Sequence, residues 1–322
     1  MNVYFDLPNL RAYAKAGGHK DFQSCVALMR QNYNIKFRFD KAQLSKEKKQ
    51  SYQCIMNLVK LLTRNRGDSE PFKWNESYPP SPLSETLYPK MSKEQLTSIY
   101  FLSDNNIQEM SKQGCLLFAS EGNEINVLSN LLIDEQAIPT KKYPIRKMVD
   151  WSVIRKNSSP CTDIIIIDPY LFAQSDTLFE YNSYSLIENL TQVNTHHVNV
   201  VIFTMKADVP FNMIYRNLKE RIGEKISITF VNLPNTGKWK EHDRTIITNY
   251  KMFDSNPSFT YFGEHGKNIC NGRWLNVNSH GHKDVCELSI NYIEDLQEMI
   301  DDRKKGLNTI IGDKISNFLD FS

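Results

Sequence analysis

The 322-residue chain is predicted to fold as two α/β domains, and three observations predict it. Short β-rich apolar runs alternate with helical ones in both halves, the pattern of helices packed on a largely parallel sheet. Four consecutive isoleucines, Ile164–Ile167, mark a strand buried on both faces. Between the halves, residues 134–160 carry three prolines and six Lys/Arg with little periodicity, as a connector does. The domains are expected at 1–133 and 151–322, with a linker at 134–150. The length suits two domains of about 150 residues each.

Taken in order, "NVYFDL" (2–7) reads as a strand that closes on Asp6, and Pro8 stops further pairing. "DFQSCVALMRQNY" (21–33) places Phe22, Cys25, Val26 and Met29 on one helical face. "NIKFRF" (34–39) alternates apolar and polar residues, as a half-buried strand does. "SYQCIMNLVKLLTR" (51–64) is rich in helix formers. Residues 65–90 hold five prolines and no period, a long surface loop. "TSIYFLSD" (97–104) and "GCLLFAS" (114–120) are two further strands.

In the second half the isoleucine strand (163–172) precedes a helix at about 182–192, a strand at 198–205, a helix at 211–223 and a strand at 226–233. Strands at 244–250 and 258–263 follow. Val285, Leu288, Tyr292, Leu296 and Met299 then repeat along an amphipathic helix, 284–300. A short helix is expected within "NTIIGDKISNFLDF".

Lys+Arg 39 against Asp+Glu 37 leaves a net charge of +2, so bulk charge identifies no acidic partner and any basic surface must be local. Six cysteines without a C-x-x-C pair read as free thiols in a reducing compartment. The first residues lack the pattern of a signal peptide, and no apolar run nears the roughly 18 residues of a membrane helix. The expectation is a soluble cytoplasmic protein.

The stretch "HDRTIITNY" (242–250) carries the chemistry of the second half. His242 and Arg244, at i and i+2 of a strand, project to one face. A guanidinium offers a fork of donors matched to phosphate oxygens. His242, Arg244 and Asn249 stand in the register of H-x-K-x-x-x-x-D, with Arg for Lys and Asn for Asp. In that spacing, and in the element order around it, residues 150–322 resemble a degenerate phospholipase D-like domain, a mixed sheet with flanking helices. The resemblance implies phosphate binding by His242, Arg244 and Asn249. It implies no phospholipase activity, because Asn249 supplies no carboxylate to orient and charge the imidazole. Active members pair two such motifs, from one chain or from a dimer, and this chain has one. Its partner is then nucleic acid or another phosphorylated ligand, or, for a non-catalytic module, anionic phospholipid or a protein. "EHGKN" (264–268) repeats the H-x-K spacing at His265 and Lys267, so Lys267 is expected to add positive charge beside the first site. His280 and His282 suggest a metal only with further ligands, which their neighbourhood does not supply.

In the first half, Asp6 ends a strand and Asn9 lies three residues on. This resembles the first motif of PIN-like and NYN-type ribonuclease domains. The resemblance implies a metal-dependent nuclease in which Asp6, with Asp104 and Glu121 (or Glu124), holds Mg²⁺ or Mn²⁺ through oxygens. The same Asp6 is also the residue type that caps a helix or forms a turn.

Overall fold

The computed structural model describes residues 2–15, 26, 29–30, 34–37, 39, 41–63, 98–101, 140–159, 161–194, 196–205, 207, 209–233, 244–304 and 310–322. Two compact units emerge: Met1–Pro139 with His280–Cys286, and Thr140–Ser279 with Glu287–Ser322.

In the first unit, β1 (Asn2–Phe5) is the central strand of a three-stranded parallel sheet, between β2 (Asn34–Phe37) and β3 (Ser98–Phe101). The expected strand 2–7 stops early, because helix α1 (Leu7–Lys15) starts directly after Asp6. Two more helices follow β2, α2 (Lys41–Ser45) and α3 (Lys49–Thr63). Val3 and Phe5 from β1, Leu10 and Tyr13 from α1, and Ile55, Val59 and Leu62 from α3 are buried. The Phe5 and Tyr13 rings meet edge to face at 5.7 Å, a favoured aromatic geometry. The strand expected at 114–120 lies outside the described residues, and so does most of the helix expected at 21–33.

The second unit is built on an eight-stranded mixed sheet of order β11-β7-β6-β5-β8-β9-β10-β4. Its strands are β4 (Thr140–Pro144), β5 (Asp163–Ile167), β6 (Val198–Thr204), β7 (Ile226–Asn232), β8 (Arg244–Thr248), β9 (Lys251–Ser255), β10 (Trp274–Ser279) and β11 (Ile310–Gly312). The parallel trio β5, β6 and β7 is linked by helices α5 (Ser183–Thr191) and α6 (Phe211–Ile222). β8 returns to the other side of β5 and runs antiparallel to it, Ile167 opposite Thr245. Every residue of β5 is buried, as expected of a strand covered on both faces.

One face of this sheet packs into a core with Ile154 of α4 (Ser152–Asn157), Leu186 of α5 and Ile214 of α6. Its densest part surrounds Trp151, whose ring centroid lies 4.8 Å from Tyr261 and 5.3 Å from Phe262. Trp151 Nε1 donates to the Tyr181 carbonyl at 2.9 Å, which satisfies its one polar atom. Against the other face, Ser289 of the long helix α7 (Lys283–Lys304) meets the Met252 sulfur at 3.3 Å.

Three expectations are corrected here. Residues 140–150 are not linker: β4 is the edge strand of the sheet, and a 3-10 turn, Ile145–Lys147, follows it. Its lysines and proline are the residues that keep an exposed edge from pairing with other chains, which disguised it as a connector. The segment 258–263 is not a strand. It makes a single bridge, Phe262–Asn268, and its aromatic side chains pack on Trp151, while β9 and β10 supply the pairing. The C-terminal stretch is the short strand β11 and not a helix. It lies antiparallel to β7, and Asp313 is fixed by Lys219 (2.9 Å), Tyr215 (2.8 Å) and the Ile228 amide (2.8 Å). Those donors hold the Asp313 carboxyl below the usual carboxylate range, against burial, which raises it.

Candidate anion site at the carboxyl edge of the sheet

The chain leaves β5 on one side for β6 and later places β8 on the other. Connections diverge there, and such a point opens a crevice beyond the carboxyl ends of parallel strands. Asp168 and Arg244 are the next residues beyond the Ile167–Thr245 pair.

Asp168 is fully buried. Its Oδ1 accepts from the Tyr170 amide at 3.0 Å, and its Oδ2 accepts from Ser258 Oγ and the Phe259 amide, both at 2.7 Å. Burial pushes this carboxyl above the usual carboxylate range; the hydrogen bonds and the positive charge of Arg244 oppose the shift. The carboxylate thus ties the loop after β9 to the end of β5. Asn182 pins the same loop further on, accepting from the Phe262 amide at 2.9 Å and donating to the Phe262 carbonyl at 2.6 Å.

Arg244 opens β8 and is 8% exposed. Its Nε and Nη1 are buried, and neither has a hydrogen-bond partner among the described residues. The guanidinium carbon lies 5.5 Å from the centroid of the Tyr170 ring, a cation–π arrangement worth roughly 0.5–2 kcal/mol. Two stranded donors cost about 1–3 kcal/mol each, more than stacking returns. Asp168 opposes the charge of Arg244 but accepts its hydrogen bonds from Tyr170, Ser258 and Phe259. The outcome is a cation held in place with two directed donors unused, a geometry matched to a phosphate or carboxylate oxygen. At the same edge, Asn232 closes β7 with a buried Oδ1 that also lacks a partner among the described residues.

The residues picked out from the sequence fare differently. Arg244 stands at the start of β8. Asn249 does not join it: it lies beyond the other end of β8, fully buried. Its Oδ1 accepts from the Thr162 and Asp163 amides at 2.9 and 3.2 Å. It braces the start of β5, and five residues of extended strand carry it about 17 Å from Arg244. Lys267 is exposed on the turn enclosed by the Phe262–Asn268 bridge. Its side chain makes no ion pair among the described residues, and no contact links it to Arg244. His265 occupies the left-handed region, φ 59, on that same turn. His242 lies outside the described residues.

In the first unit, Asp6 is a helix cap. Its Oδ1 accepts from the Asn9 amide at 2.9 Å and from Asn9 Nδ2 at 2.8 Å, satisfying an orphan donor of the first turn of α1. Asp104 and Glu121, and Glu124 with them, lie outside the described residues. Among the described residues no group of three or more His, Cys, Asp or Glu could hold a metal ion. No described helix is long and apolar enough to cross a membrane.

Sequence reasoning missed Asp168, Tyr170 and Ser258. The signal for the first two was "DPY" directly after the isoleucine run, since a carboxylate closing a doubly buried strand falls at the crevice. Ser258 carries no such signal.

No protein-family profile matches the sequence, and no curated protein matches it. Among solved structures, one match is TrmBL2, described as an archaeal chromatin protein with a novel mode of DNA binding. It shares 10% sequence identity at a TM-score of 0.30, and the match covers 54% of this chain and 58% of that one.

Proposed function

We propose that this protein recognises a phosphodiester, most simply in nucleic acid, through the crevice at Arg244 in a degenerate phospholipase D-like unit. The observation that carries the reading is the buried guanidinium of Arg244 with two unpartnered donors. A buried donor left without an acceptor is costly, and an anion arriving from solvent removes that cost. The Tyr170 ring lies beside the guanidinium, 5.5 Å from centroid to carbon, and a planar fork of donors suits phosphate oxygens better than a point charge does. Catalysis of the phospholipase D type is not proposed, because Asn249 is committed to the backbone of β5. A second reading, a Mg²⁺- or Mn²⁺-dependent nuclease in the first unit, draws on the position of Asp6. It closes the central strand of a parallel sheet at its carboxyl end. That reading is the weaker one, since Asp6 Oδ1 already caps α1.

The test is binding of a labelled oligonucleotide in EDTA by wild type, Arg244→Ala and Arg244→Lys. A lost charge-assisted contact is worth on the order of 1.5–3 kcal/mol, so Arg244→Ala is expected to weaken binding roughly tenfold or more. Arg244→Lys keeps charge without the fork and should fall between. Equal affinities for all three would refute the reading.

A further inference from the structure

Residues 140–156 hold six Lys/Arg against one acid, Asp150, a net +5 in a chain whose total is +2, so the remaining residues sum to −3. Their cations are exposed, and they are placed on three connected elements. Tyr143 of β4 donates to Asn157 of α4 at 2.8 Å. The Ile145 amide after β4 donates to the Arg273 carbonyl at 3.2 Å. Asn268 donates to the Ile145 and Met148 carbonyls, both at 2.8 Å. Lys142, Arg146, Lys147 and Arg273 make no ion pair among the described residues. Beside them Trp274, opposite Pro144 in register, is 45% exposed.

Lysines and a proline on β4 alone would be ordinary edge protection, and Arg155 and Lys156 complement the C-terminal end of α4. Neither role accounts for Arg146, Lys147 and Arg273, which continue the charge off the strand, nor for an exposed indole among them. We infer that the β4 edge and the 3-10 turn after it form a track for single-stranded nucleic acid. Unpaired cations follow its phosphates, and Trp274 offers a stacking face for a base. The inference takes the identity of the partner from the reading of Arg244, but its residues are separate.

The experiment measures binding of fluorescein-labelled 20-nucleotide single-stranded DNA and RNA by the full chain across a salt series. Wild type is compared with Lys142→Gln/Arg146→Gln/Lys147→Gln, Trp274→Ala and Arg244→Ala, alongside phosphatidylserine vesicles. For single strands each lost phosphate contact lowers the magnitude of the log–log salt slope by about 0.7, so the triple variant is expected to lose about 2. Trp274→Ala should weaken binding about tenfold without changing the slope. Arg244→Ala reports on the crevice alone, so its failure to weaken binding leaves the track standing if the triple variant still loses slope. Parallel salt slopes for the triple variant and wild type would overturn the track, and so would capture of the vesicles with no binding of either oligonucleotide.

Discussion

Arg244→Met is expected to cut by about half or more the thermal stabilisation that wild type gains from a phosphodiester ligand while leaving the unliganded protein at least as stable. A ligand at a hundredfold excess over its Kd stabilises the native state by about 2.7 kcal/mol, and a tenfold loss of affinity leaves about 1.4 kcal/mol of it. In the unliganded state the substitution removes two stranded donors, about 1–3 kcal/mol each. It forfeits a stacking contact of roughly 0.5–2 kcal/mol. Asp168 keeps its three hydrogen bonds but loses the positive charge that opposes its burial, so its carboxyl is expected to rise further above the usual range. Paired melting curves with and without a short oligonucleotide check both parts. An Arg244→Met protein that is markedly less stable without ligand would mean that the guanidinium has a structural role.

The second large effect is expected at Asp163, the first residue of β5. It is fully buried. Its Oδ1 accepts from Ser316 Oγ at 2.8 Å and the Asn317 amide at 2.7 Å, and its Oδ2 accepts from Asn317 Nδ2 at 2.6 Å. This one carboxylate fastens residues 316–317 to the start of β5. Asp163→Ala strands several buried donors at once and is expected to cost about 3–5 kcal/mol, a fall in melting temperature on the order of 10 °C. Limited proteolysis should then cut the variant beyond residue 312 faster than wild type. An unchanged melting temperature with an equally resistant C-terminus would show that the tail is held by its other contacts, such as Gln297 to Asp320.

What could be read from the sequence was whatever rests on burial. Four isoleucines left β5 no solvent-facing side, and the alternation of strands and helices around it led to the parallel trio. Local signals failed where tertiary partners decide. The aromatic run 258–263 looks extended, yet Asp168 and Asn182 take its backbone amides, so it cannot join a ladder. β10 hides its alternation behind Asn276 and Asn278, which donate to Asp254 across the sheet. The candidate site was half legible. The start of β8 at Arg244 was legible, because a strand period is local. The same period puts Asn249, five places on, at the far end of the strand, away from Arg244. The partners of Arg244 come from distant loops, which no local pattern encodes.

The most direct measurement is the side-chain Nε–H resonance of Arg244 in a ¹⁵N–¹H spectrum, assigned by its loss in Arg244→Lys, followed as inorganic phosphate is added. This resonance is expected to move downfield and to exchange more slowly with water as the stranded donor finds an oxygen. A resonance that stays in place while those of exposed arginines move would contradict it.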